Sequence, residues 1–142
     1  MPTDRETLLA LAERCERATE GSRELSGEIW CALHGHAFIE LSPPNYIVIW
    51  PAGEPREPWR RRHVAMPPNC TRSLDAALAL VDGWLVETLS DEAMGSPGKM
   101  AITGCCVVLS DGRDRVVEGQ AATRPLACVA AALRARAQET PR

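Results

Sequence analysis

The chain has 142 residues, of which 45% are hydrophobic and 25% charged, with a formal net charge of −3. These values fit one globular domain and exclude a disordered or fibrous chain. No apolar run approaches the roughly 20 residues that cross a bilayer, and a sequence pI near 5.6 argues against a domain devoted to nucleic acid.

From the N-terminus, Thr3-Asp4-Arg5-Glu6 has the form of a capping box, and Leu8, Leu11, Ala12 and Cys15 follow on one helical face. The first helix is expected to reach about residue 18 and to end at Gly21 in the left-handed conformation that glycine enters cheaply. Ser22 is placed to cap a second helix with Leu25, Ile29, Ala32 and Leu33 inward. Residues 46–50, a β-branched and aromatic run between Asn45 and Pro51, read as a strand, whereas the proline-rich stretch 51–69 reads as an extended loop.

Ser73 caps a third helix with Leu74, Ala77, Leu78 and Val81 facing the core, and Gly83 ends it. Residues 84–89, 100–109 and 114–120 read as three strands, with 91–99 as a mobile connection and Ser110-Asp111-Gly112-Arg113 as a turn. Thr123 caps the last helix, Pro125 sits in its first turn, and Leu126, Val129, Ala130, Leu133 and Ala137 form its buried stripe. The expected fold is α+β. The three strands form an antiparallel meander, the 46–50 strand joins the same sheet, and helices cover it in an α/β/α sandwich-like arrangement.

The six cysteines lack both a C-x-x-C motif and regular spacing, so reduced and mostly buried thiols are expected. The polar, acidic start of the chain lacks the form of a signal peptide, so a cytoplasmic location in a bacterial host is expected, with no membrane contact. His34-Gly35-His36 could present two imidazoles to one side, but His63 is the only other histidine and a zinc site needs three or four ligands. Cys105-Cys106 in a strand sends one thiol inward and one outward. Asp111, Asp114 and Glu118 read as solvated turn and strand acids rather than a catalytic cluster. No catalytic, cofactor-binding or metal-ligating set emerges.

Charge is uneven along the chain. Residues 1–40 carry eight acids and four arginines, residues 41–72 five arginines and two glutamates, and residues 73–142 nine acids and seven bases. Within the basic stretch, Arg56, Trp59, Arg60, Arg61 and Arg62 form the sharpest surface signal, because arginine and tryptophan dominate binding interfaces. A protein partner suits them better than nucleic acid, given the overall acidity, and the bland alternative is a solvated loop.

Several segments together resemble the phage ABA sandwich domain, a family of small phage and prophage proteins. They are residues 8–18, Arg23-Glu24-Leu25 with Glu28-Ile29-Trp30, residues 71–78 with Gly83-Trp84, and residues 122–127 with Ala131, Leu133, Arg134 and Ala135. The resemblance implies an α/β/α sandwich and a bacteriophage-derived gene, and it implies no activity and no catalytic residues. The function expected is that of a non-enzymatic phage or prophage accessory protein that binds a host macromolecule, such as an anti-CRISPR-like counter-defence inhibitor. The alternative is a small-molecule- or nucleotide-binding protein or a hydrolase, with a pocket built from loops 51–70 and 91–99.

Overall fold

In a computed structural model, residues 4–34, 36–42, 46–51, 69–81, 83–94 and 101–139 are described. The elements in order are α1 (Arg5–Arg17), α2 (Arg23–His34), β1 (His36–Ser42), β2 (Tyr46–Pro51), α3 (Leu74–Leu78), β3 (Leu85–Met94), β4 (Ala101–Ser110), β5 (Val116–Ala121) and α4 (Arg124–Glu139). The sequence stops and starts are mostly explained by their caps. The Ser22 hydroxyl accepts from Leu25 N at 3.1 Å, Ser73 from Ala76 N at 3.3 Å and Thr123 from Leu126 N at 3.4 Å, each satisfying an amide left free in a first turn. At α1 the cap is Asp4, which accepts from Thr7 N at 2.7 Å, one residue later than the capping box predicts.

Strands β3, β4 and β5 form the expected antiparallel meander, with Val107 opposite both Leu89 and Gly119. Strand β3 continues to Met94, so the first four residues of the expected 91–99 connection are paired strand, with register shifts near Glu87 and after Glu92. The 46–50 strand does not join this sheet. It belongs to β2, which among the described residues pairs with β1 alone in a separate two-stranded antiparallel sheet, with a bulge between Phe38 and Glu40, and this hairpin lies against α2. A β-rich composition shows that a segment is extended, whereas its partner is decided by what lies beside it in sequence and space.

Helix α4 is the centre of the fold. It lies on β4 and β5 and also packs on α1 and α3. Its expected stripe is buried, and Ala127, Cys128, Ala131, Ala132 and Ala135 are buried too, so the helix is enclosed on nearly every side. From the other layers Leu8, Leu11, Ala12 and Cys15 of α1, Ile29 of α2 and Val107, Leu109 and Val117 of the sheet complete the core. The opposite sheet face carries Thr88, Ser90, Cys106, Val108, Glu118 and Gln120, all exposed or half-buried. Among the described residues the helices gather on one sheet face, giving two layers without the third of a sandwich.

Two glycines sit where backbone meets backbone. A Cβ on Gly119 would lie 2.1 Å from the Ala127 carbonyl oxygen and 2.7 Å from Ala131 N, so β5 rests directly on α4. A Cβ on Gly21 would lie 2.0 Å from the Thr71 carbonyl oxygen. Positive φ is confined, among the described glycines, to Gly83 and Gly112, so Gly21 is needed for close approach and not for the left-handed turn the sequence predicts. Helix α3 is also shorter than predicted. It gives way after Leu78 to tighter bonds, Leu80 N to Ala77 O and Val81 N to Leu78 O, leaving Leu78 half-buried where a buried core position is expected.

Candidate binding groove at the edge of the sheet

The outer edge of β5 is closed along half its length by side chains from two helices. Gln120 N donates to Glu16 Oε2 of α1 at 2.9 Å, and Arg134 Nη1 of α4 donates to the Glu118 carbonyl oxygen at 2.7 Å. Glu16 and Arg134 are themselves joined by an ion pair, with Arg134 Nη1 2.7 Å from Glu16 Oε2 and Nη2 bonded to Oε1. The Arg134 guanidinium, with help from Gln120 N, holds the Glu16 carboxyl below the usual carboxylate range despite partial burial.

Beyond this closure the edge opens onto a groove of about 370 Å³, lined by Arg5 and Leu9 of α1, Val116 and Glu118 of β5, and Arg134 and Gln138 of α4, among others. Its size is at the small end of the roughly 300–1,000 Å³ typical of ligand clefts. The wall is mixed: Leu9, Val116 and Ala137 are apolar, while Arg5 and Arg134 supply positive charge. Arg5 has no ion-pair partner among the described residues. Val116 on the groove wall is 58% exposed, and Leu85, two strands across with Ser110 of β4 between them, is 62% exposed.

None of these groove residues was singled out as functional from sequence. One signal was present: in Val116-Val117 strand alternation must turn one valine out, and the structure exposes Val116 and buries Val117. The other groove residues come from elements distant in sequence, and no local pattern joins them. Arg56, Trp59, Arg60, Arg61 and Arg62 lie outside the described residues, as do Gly35 and most of the loops proposed for a pocket. His34 ends α2 and His36 begins β1. Among the described residues no group of three potential metal ligands comes together.

Cys105 is buried and Cys106 half-buried, as alternation predicts, and their thiols donate to carboxylates, Cys105 Sγ to Asp91 Oδ1 at 3.3 Å and Cys106 Sγ to Glu118 Oε1 at 3.5 Å. Asp91 is also held by Arg124 through Nε at 2.9 Å and Nη2 at 2.6 Å, which pulls its pKa down to about 2. Cys15, Cys31, Cys70 and Cys128 are buried free thiols. Burial pushes Cys15 up to about 12 and the other three to about 11, so they carry almost no thiolate, the reactive form, at neutral pH. Asp111 is bound rather than simply solvated: it accepts from Arg113 N and Arg115 N and pairs with Arg115 Nε at 2.8 Å, fixing the turn at Gly112.

No helix among the described residues is long and apolar enough to cross a membrane. No protein-family model matches the chain, and neither the curated proteins nor the solved structures contain a match.

Proposed function

We propose that this chain is a non-enzymatic accessory protein of phage or prophage type that acts by binding a host protein, in the manner of a counter-defence inhibitor, within the host cytoplasm. The observation that carries the binding reading is the exposed Val116 on the wall of the groove at the β5 edge, with Leu85 exposed on the far side of Ser110. Isolated exposed apolar residues are ordinary, but one that lines a cleft, as Val116 does, is what a contact uses. The phage origin is supported only by the sequence resemblance. Arg56, Trp59, Arg60, Arg61 and Arg62 belong to the same reading as a second, charged part of the contact.

The test is capture from bacterial host lysate on the immobilised chain. The expected result is a stoichiometric protein partner that the wild type retains and a Leu85→Asp/Val116→Asp double variant loses, with the variant's melting transition still cooperative. Absence of a stoichiometric partner, or equal retention by the double variant, overturns the reading. Replacing Arg60, Arg61 and Arg62 by Ala is expected to leave folding intact, to weaken capture, and to flatten the salt dependence of association.

A further inference from the structure

We propose that the groove takes an extended, acidic segment of a partner protein, which adds as a short strand to the open half of β5; this rests on the binding reading above and specifies its mode. The argument begins with main-chain direction. In a strand, the N–H and C=O of one residue point to the same side, and successive residues alternate. Gln120 N and the Glu118 carbonyl both turn away from β4, since Glu16 and Arg134 take them. Val116 must then turn its own amide and carbonyl outward as well. Gln120 N and Glu118 O are occupied, whereas Val116 N–H, Val116 C=O and Glu118 N–H have no partner among the described residues. These are the groups an added strand needs.

The groove begins where the side-chain closure stops. The Glu16–Arg134 pair blocks strand addition at Gln120, so an incoming segment can pair only alongside residues 116–118, a span of roughly 7 Å at 3.4 Å per residue. Its side chains on one face would meet the exposed Val116, and on the other the half-buried Leu9. Charge selects among such segments. The cation that selects is Arg5, which has no ion-pair partner among the described residues; Arg134 is already paired with Glu16, and Glu118, hydrogen-bonded by Gln120 Nε2 at 2.6 Å and by Cys106, keeps its negative charge. A carboxylate on the segment can pair with Arg5, and an ammonium at the same place is repelled by it.

Fluorescence anisotropy with two labelled hexapeptides tests this on the intact chain. Both alternate valine and threonine; one carries a central glutamate and the other a lysine. The glutamate peptide is expected to bind at least about tenfold more tightly, and Arg5→Glu is expected to weaken it by roughly as much. Val116→Pro deletes one outward N–H without touching the ladder to β4, which an edge strand tolerates, and should weaken binding similarly. N-methylation of alternate peptide amides should abolish binding and does not depend on how any variant folds. Equal binding of the lysine peptide, no binding of either, or indifference to N-methylation overturns the proposal. So does a dimer, seen by sedimentation and dissociated by Val116→Pro, since the occupant would then be a second copy. The two readings fail separately: a lysate partner that survives Arg5→Glu and Val116→Pro defeats the strand-addition mode alone, and peptide binding without any captured partner defeats the host-protein reading alone.

Discussion

At Gly119 the sheet meets α4 with no polar side chain between them, while at Gly21 the turn between α1 and α2 meets residues 69–73 through hydroxyls and amides. Both are approaches of about 2 Å to a would-be Cβ. The first is surrounded by Ala127, Ala131, Val107 and Val117, a dry seam positioned by shape. The second is a buried polar joint. Thr71 Oγ1 donates to the Ser22 carbonyl at 2.9 Å and accepts from Ser22 N at 2.9 Å, and it lies 2.7 Å from Ser26 Oγ. Ser26 Oγ reaches Asn69 Oδ1 at 2.9 Å and accepts from Thr71 N at 3.1 Å, and Arg72 Nε donates to the Gly21 carbonyl at 2.8 Å. The dry seam tolerates loss of any one methyl gradually, because dispersion is spread over many contacts. The polar joint fails stepwise, because each lost group leaves another buried and unsatisfied.

The seam is broken most severely by filling it. Gly119→Val places atoms where the Ala127 and Ala131 backbone stands, and neither can yield without moving α4, so a loss at or above the ~3 kcal/mol top of the usual overpacking range is expected in chemical denaturation. Leu133→Ala empties the same layer from the helix side; Leu133 is fully buried, and a loss of about 2–5 kcal/mol is expected. A loss below ~1 kcal/mol for either would mean that α4 is not the element that holds the sheet.

The polar joint is tested by a change that keeps volume. Thr71→Val is nearly isosteric, so an apolar joint would ignore it. Here it removes the hydroxyl that serves Ser22 N and Ser22 O and stands against Ser26, and a loss of about 1–3 kcal/mol is expected. Combined with Ser26→Ala, the losses should be non-additive, since the second hydroxyl has already lost one of its partners. Additive losses would show that the two hydroxyls act independently and that the contrast with the dry seam is overdrawn.

Much of the seam was legible in the sequence and little of the joint. The period of Leu126, Val129, Ala130, Leu133 and Ala137 announces a buried helix face, and the strands on either side of the Gly112 turn follow from alternation and turn chemistry. Gly21 reads in sequence as a helix stop, and only its distance to Thr71, fifty positions along the chain, shows that close packing is its reason. The same limit hid the separate β1–β2 sheet and the groove. A strand's composition does not say whether its far edge is covered, and Arg5, Val116, Arg134 and Gln138 come together only when α1 and α4 are placed on β5.

The smallest expected effect concerns the side-chain closure of β5, which combines features of both regions: a partly buried ion pair at the rim of the dry seam. Arg134→Met keeps the apolar stem of residue 134 but removes its bonds to Glu16 and to the Glu118 carbonyl. Because the pair is partly exposed, the expected loss at neutral pH is about 1 kcal/mol, below that of the enclosed Thr71 hydroxyl. The pH dependence identifies the mechanism. Glu16 is held below its ordinary carboxyl value in the folded protein, so its contribution is fully present above that ordinary value and is lost as pH falls through the lowered one. The difference in unfolding free energy between wild type and Arg134→Met should therefore be widest near neutrality and shrink in acid. Asp91, lowered to about 2 by Arg124, also loses its contribution in strong acid, but it does so in both proteins and cancels from the difference. A gap that stays constant from neutral pH through the carboxylate range would assign the loss to packing of the arginine stem rather than to its charge.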